Sequence, residues 1–124
     1  MREFFASRIR SFRYAFQGWG YVLRTQRNAW IHSAIATVVF LVGLWLKLTL
    51  QEWAIIVLTA AFVFSAEFIN TAIEAAIDIG APDPHPMAKI GKDVASTAAL
   101  VSSIVFMIIV ALILVPAIVN RVSG

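Results

Sequence analysis

A row of polar side chains interrupts an otherwise apolar stretch in the middle of the chain. Its members follow at steps of three, four and four residues and are Glu67, Asn70, Glu74 and Asp78. That spacing places them along one face of a helix. An ionisable group inside a hydrophobic helix costs about 2 to 3 kcal/mol or more and usually marks a functional site. The spacing therefore predicts a carboxylate row that binds a ligand or takes part in a reaction.

A second polar group stands at the start of the next apolar stretch and consists of Lys89, Lys92, Asp93, Ser96 and Thr97. Carboxylates with an amide and hydroxyls suit a hard cation such as Mg²⁺, which prefers oxygen ligands and usually also holds phosphate. Lysines neutralise phosphate charge. Together the two groups indicate a phosphoryl-transfer site. The chain has no G-x-x-x-x-G-K-[ST] loop, so a nucleotide must be held in another way.

The composition identifies the elements that must position these residues. The chain has 124 residues, of which 60% are hydrophobic and only 14% charged, and this excludes a soluble globular protein. Three apolar stretches of about 20 residues or more predict transmembrane helices at 29–48, 53–76 and 94–119. Since no cysteine is present, disulfides and thiolate metal sites are excluded. We expect one all-α membrane domain over residues 1–124.

Residues 1–27 have a different pattern. Large apolar side chains recur at steps of three and four, among four arginines at positions 2, 8, 10 and 13. This predicts an amphipathic helix that lies in the membrane interface ahead of the three spans.

The distribution of lysine and arginine predicts the orientation. The first 27 residues carry six arginines, the first loop between spans offers Lys47 against Glu52, and the second offers Lys89 and Lys92. By the positive-inside rule, the N-terminus and the second loop are cytoplasmic and the C-terminus lies outside. The net charge of +3 therefore indicates a membrane surface and no nucleic-acid partner.

Three segments carry a resemblance to a known family. Residues 67–78 (EFINTAIEAAID) and 85–96 (HPMAKIGKDVAS) resemble two signature blocks of the prokaryotic diacylglycerol kinases, a family that includes undecaprenol kinases. Ser11-Phe12-Arg13, Gly18 and residues 28–32 (NAWIH) resemble a further block. The resemblance implies a homotrimeric kinase of the bacterial cytoplasmic membrane that transfers the γ-phosphoryl group of ATP, with Mg²⁺, to the hydroxyl of a membrane lipid.

The resemblance also implies roles for the matching residues. Glu67 would take the proton of the lipid hydroxyl, and Glu74 would bind magnesium. The other roles are to shape the site (Asn70 and Asp93), to contact phosphate (Lys92) and to approach the nucleotide (Arg10 and Tyr14). Independently of the family, three spans are too few to bury such a polar row, which favours an oligomer with sites between subunits.

One position departs from the family pattern. Similar proteins carry a glutamate two residues before Asn28, and that glutamate joins the Glu74 position as a metal ligand, whereas this chain has Gln26. An amide brings a carbonyl oxygen without a charge, so we expect weaker Mg²⁺ binding. Our hypothesis is that ATP phosphates supply the missing charge and raise the metal requirement. The alternative is a catalytically weakened or inactive homologue.

The acceptor and the function class have further alternatives. Undecaprenol and diacylglycerol both present a hydroxyl, and residues 28–32 with His85-Pro86 resemble the undecaprenol-type members more closely, which favours a polyprenol. His32 is either a proton relay or a solvated interfacial histidine. The rival functions are a proton-coupled transporter that uses Glu67 and Glu74, and a structural subunit or lipid-binding adaptor. In the simplest reading, both carboxylates reach the surface or pair with an arginine of the N-terminal helix.

Overall fold

The computed structural model describes residues 1–124 as four helices without strands. They are α1 (Arg2–Thr25), α2 (Arg27–Leu46), α3 (Leu50–Gly80) and α4 (Pro86–Ser123). The last three are long and apolar enough to cross a membrane. The predicted all-α membrane architecture, with one amphipathic helix before three spans, is confirmed.

Helices α3 and α4 are longer than the apolar stretches within them, because their starts are set by capping. At α3, Thr49 accepts from the Glu52 N–H while the Glu52 side chain accepts from the Thr49 N–H, a capping box. At α4, Pro86 occupies the first turn and His85 Nδ1 accepts from the Met87 N–H. The 31 and 38 residues extend about 46 and 57 Å, against a hydrocarbon core of about 30 Å. Both helices are therefore longer than the hydrocarbon core is thick.

The first span ends at Leu46 and not at residue 48 as predicted. Lys47 adopts the left-handed conformation, with φ 57° and ψ 50°. The Leu48 N–H then donates to Gly43 O and the Lys47 N–H to Leu44 O, both at 3.2 Å. This pair of bonds is the Schellman arrangement that closes a helix.

The apolar core occupies one end of the bundle, where α3 and α4 pack side by side in opposite directions. Its buried members come from α2, α3 and α4 and are Val39, Ile56, Val63, Phe106, Val110 and Leu114. The polar residues of α3 lie toward the other end. Because the core fixes the register of the spans, it also fixes which side chains meet at the polar end.

Helix α1 joins α2 at Gln26, whose backbone is extended with φ −105° and ψ 111°. It packs against α3 through Trp19, whose ring centroid lies 6.3 Å from that of Phe64 and 5.6 Å from that of Phe68. Val22 is buried. The earlier apolar side chains of α1 are exposed in the single chain, as in Phe12 and Phe16, which suits a helix whose apolar side faces lipid.

Candidate active site at the polar end of the bundle

Glu67 is the most deeply buried ionisable residue of the chain, with 2% of its surface exposed. Its Oε1 lies 3.1 Å from Nε2 of His32 on α2, and Ser103 Oγ of α4 lies 3.3 Å from the same nitrogen. Thr71 Oγ1 donates to the Glu67 carbonyl. The carboxylate itself has one hydrogen-bond partner, His32, and Ser103 links this pair to α4, so that side chains of all three membrane-spanning helices meet around a buried ionisable group.

One turn further along α3, Asn70 and Glu74 form a second polar contact. Asn70 Nδ2 donates to Glu74 Oε1 at 3.3 Å. Asn70 is buried, and its Oδ1 has no hydrogen-bond partner in the chain. A buried acceptor without a partner costs about 1 to 3 kcal/mol, and native proteins seldom keep one without a reason. This oxygen is therefore a free ligand position beside a carboxylate.

A cavity of about 260 Å³ lies between the three spanning helices at this level. Its polar lining comes from Asn28, His32, Glu67, Asn70, Ser96 and Ser103, and the rest is apolar. A space lined by both apolar side chains and converging polar groups is typical of a site that binds a small or partly apolar molecule. A hydroxyl group on a hydrocarbon chain has this character.

The donor set beside Glu67 fits a hard cation. Glu74 supplies a carboxylate and Asn70 an unpartnered carbonyl oxygen, and Mg²⁺ is usually bound by one or two carboxylates together with phosphate and water. No cluster of three or more His, Asp or Glu side chains is assembled, so a bound cation would take further oxygen ligands from phosphate or water. Gln26, at the junction of α1 and α2, is half-buried and its amide side chain makes no hydrogen bond.

Two further acidic residues, Asp78 and Asp93, pair with lysines at the projecting end of the bundle, where α3 ends and α4 begins. Asp78 lies outside the buried part of the α3 row and forms an ion pair with Lys92 of α4. Lys89 pairs with Asp93 over 2.6 Å within α4. Exposed pairs of this kind contribute about 0 to 1 kcal/mol. Separating Lys92 from Asp78 would therefore cost little.

Within one chain the structure brings together only part of the predicted site. Glu67, Asn70 and Glu74 lie along α3, whereas Asp93 is exposed on α4, one turn before Ser96 and toward the projecting end. Glu67 and Asp93 thus lie in the same half of the bundle but not in one cavity. The two α1 residues expected near the nucleotide, Arg10 and Tyr14, are exposed and make no hydrogen bond to the α3 row.

Two contacts of the site were missed or left open in the sequence. The partner of Glu67 is His32, which lies 35 positions away in the sequence. The sequence left open whether His32 is a proton relay or a solvated interfacial histidine. No arginine of α1 pairs with Glu67 or Glu74. Ser103 was not singled out. Ser96 and Ser103 are seven residues apart and so lie on one face of α4, and this spacing could have indicated a polar face toward Glu67. Serines in spanning helices, however, often bond only to their own backbone.

Comparisons with known proteins identify the family of the chain. The family model for prokaryotic diacylglycerol kinase matches residues 13–114. The chain is 39% identical to an undecaprenol kinase of Bacillus subtilis over 87% of this chain and 88% of the relative. It is 36% identical to a diacylglycerol kinase of Synechocystis over 86% of this chain and 61% of the relative. Part of it, 47% of the chain, is 38% identical to a diacylglycerol kinase of Helicobacter pylori.

The match extends from the arginine-bearing α1 to the apolar core of α4 and includes every residue of the buried polar site. The chain therefore belongs to the prokaryotic diacylglycerol kinase family.

Proposed function

We propose that this protein is a membrane lipid kinase that transfers the γ-phosphoryl group of ATP to the hydroxyl of a lipid alcohol, with Glu67 as the base. The observation that carries the proposal is the Glu67 carboxylate, 2% exposed in a membrane-spanning helix and facing a partly polar cavity. Membership in a kinase family supports the same reaction.

The reaction assigns a task to each group of the site. The lipid hydroxyl enters the cavity, and its proton passes to Glu67 as its oxygen bonds the γ-phosphorus and the bond from that phosphorus to ADP breaks. Asn70 and Glu74, which follow Glu67 along α3, face the phosphates. Lys92 of α4 neutralises phosphate charge once it leaves Asp78. Since phosphoryl transfer requires mainly positioning and charge neutralisation, these few groups suffice.

Mg²⁺ is the metal that the donor set fits, and it would be held by Glu74 and the Asn70 carbonyl oxygen together with ATP phosphates. Gln26 is the further ligand that the family resemblance implies. When bound, the metal neutralises the charge that develops on the transferred phosphoryl group. Gln26 offers no charge, so we expect activity at a raised Mg²⁺ concentration. Gln26→Glu adds one negative ligand and should lower the Mg²⁺ concentration at half-maximal rate by roughly tenfold, as one added charge-assisted contact does.

A magnesium titration of lipid phosphorylation in detergent measures this directly. Wild type that turns over at high Mg²⁺, with Gln26→Glu reaching the same maximum at lower Mg²⁺, supports a working enzyme with weakened metal binding. No turnover in wild type, with recovery only in Gln26→Glu, would instead identify an inactive homologue.

Undecaprenol is the acceptor that we propose, ahead of diacylglycerol. The family resemblance around His32 favours it, and the relative that matches over the larger share of its own length is named an undecaprenol kinase. Initial rates with each lipid at equal mole fraction in mixed micelles decide the preference. A higher kcat/KM for diacylglycerol would reverse it.

The working assembly that we propose is a homotrimer with its N-terminus and site on the cytoplasmic side of the bacterial cytoplasmic membrane and its C-terminus outside. In one chain Asp93, Ser96 and Thr97 remain exposed on α4, and a neighbouring subunit would bring such a face to Glu74. The arginines of α1 and the lysines at the start of α4 belong to the same end of the bundle as the site, and by the positive-inside rule this end would be cytoplasmic. Crosslinking in membranes tests the number of subunits, and labelling of single cysteines introduced at each end tests the orientation.

A further inference from the structure

The contacts of the His32 ring show which of its nitrogens carries a hydrogen. Nε2 has two oxygens in contact, Glu67 Oε1 at 3.1 Å and Ser103 Oγ at 3.3 Å. Ser103 Oγ gives its own hydrogen to the carbonyl of Ala99 at 2.8 Å, so it presents only lone pairs to the ring. A ring nitrogen that faces two acceptors must carry a hydrogen. His32 therefore donates to Glu67.

The hydrogen bond from His32 gives the two carboxylate oxygens of Glu67 different roles. Oε1 is occupied by His32, while Oε2 accepts no hydrogen bond and Glu67 lines the cavity. A hydrogen bond to a charged acceptor is shorter and stronger than a neutral one. The base thus keeps one oxygen fixed and one available.

We propose that His32 is a positioning residue for the base: its Nε2–H holds Glu67 Oε1 so that Oε2 receives the proton of the lipid hydroxyl, and Ser103 fixes this tautomer. The inference rests on the proposed function of Glu67. During transfer the lipid O–H bond breaks, its proton joins Oε2, the lipid oxygen bonds the γ-phosphorus, and the bond from phosphorus to ADP breaks. His32 keeps its proton throughout.

Ser102 provides a matched control for Ser103. Both hydroxyls donate to the Ala99 carbonyl at 2.8 Å, but only Ser103 contacts His32. Each serine-to-alanine change therefore removes the same backbone bond, and only Ser103→Ala also removes the second acceptor at Nε2.

The experiment measures kcat and KM for ATP in lipid phosphorylation by the full-length protein in detergent. We expect His32→Leu to lower kcat by roughly 10- to 100-fold, the effect of losing a hydrogen bond to a charged group, with KM for ATP within about twofold. His32→Gln places an amide N–H at a similar reach and should restore kcat to within about fivefold of wild type. Ser103→Ala should lower kcat about two- to fivefold, and Ser102→Ala should leave it unchanged.

Several outcomes would overturn the inference. If His32→Leu keeps the wild-type kcat while Glu67→Gln loses activity, the positioning role of His32 is refuted and the role of Glu67 as the base is retained. Equal loss in His32→Gln and His32→Leu, with both variants folded, shows that the donated hydrogen is not what matters. If His32→Leu does not fold, identical kcat values for Ser103→Ala and Ser102→Ala refute the proposal. A wild-type rate in Glu67→Gln instead refutes the proposed function itself.

Discussion

The unpartnered oxygen of Asn70 allows a prediction in which stability and activity change in opposite directions. Asn70→Leu replaces the amide with an apolar side chain of similar size. Removing a buried acceptor without a partner recovers about 1 to 3 kcal/mol. The hydrogen bond lost to Glu74 is long, at 3.3 Å, and is worth about 1 kcal/mol at most. We expect the variant without ligand to be more stable by about 1 kcal/mol.

Thermal unfolding in detergent measures the effect, since 1 kcal/mol corresponds to roughly 4 °C in Tm for a chain of this size. With Mg·ATP at about 100 times its Kd, the wild type should gain a further ~2.7 kcal/mol. Asn70→Leu should lose most of this gain and at least tenfold in turnover, because it removes the oxygen that we propose as a ligand of the metal. Asn120→Leu makes the same change at an exposed position near the end of α4 and should leave the response to Mg·ATP intact.

Two results would refute this reasoning. A loss of more than about 2 kcal/mol in the variant without ligand would mean that Asn70 Oδ1 has a partner in the assembled protein. A rise in Tm with Mg·ATP that is as large in Asn70→Leu as in wild type would mean that the oxygen faces no ligand.

Two further predictions concern the fold. Lys47→Gly should stabilise the protein by about 1 kcal/mol, because glycine adopts the left-handed conformation without the steric cost that lysine bears there; an unchanged or lower Tm would contradict this. Gly43→Ala should destabilise it by about 1 to 3 kcal/mol, because a Cβ would lie 2.8 Å from Trp53 Cη2. Gly20→Ala, where a Cβ meets nothing within 4 Å, is the control and should stabilise α1 by about 0.5 to 1 kcal/mol, whereas equal loss in both alanine variants would contradict the steric explanation.

The helices and the polar row of α3 could be predicted because their signals are local. Hydrophobic length predicts a span, and steps of three and four place Glu67, Asn70 and Glu74 on one face. The helix starts were also readable, since T-x-x-E at Thr49 and proline at position 86 are start signals, but apolar length alone placed them at residues 53 and 94. Asp78 shares the face of Glu67, yet it is exposed because α3 projects beyond the core.

The contacts between helices could not be predicted in the same way. His32 meets Glu67 because the packing of α2 against α3 sets their relative height and rotation, and no periodicity within either helix records that register. Ser103 joins them through the same packing of α4. We propose that Asp93 reaches the site through the packing of one subunit against the next, and a single sequence does not record that packing.

The central claim is that the buried Glu67 carboxylate drives phosphoryl transfer from ATP to a lipid hydroxyl. The most direct measurement is transfer of the labelled γ-phosphoryl group to undecaprenol by purified wild type and Glu67→Gln at saturating Mg²⁺ in one detergent. We predict labelled lipid phosphate with wild type and a rate lower by roughly 10²- to 10⁴-fold with Glu67→Gln, as expected for loss of a general base, with both proteins folded. Equal rates from the two proteins would contradict the account.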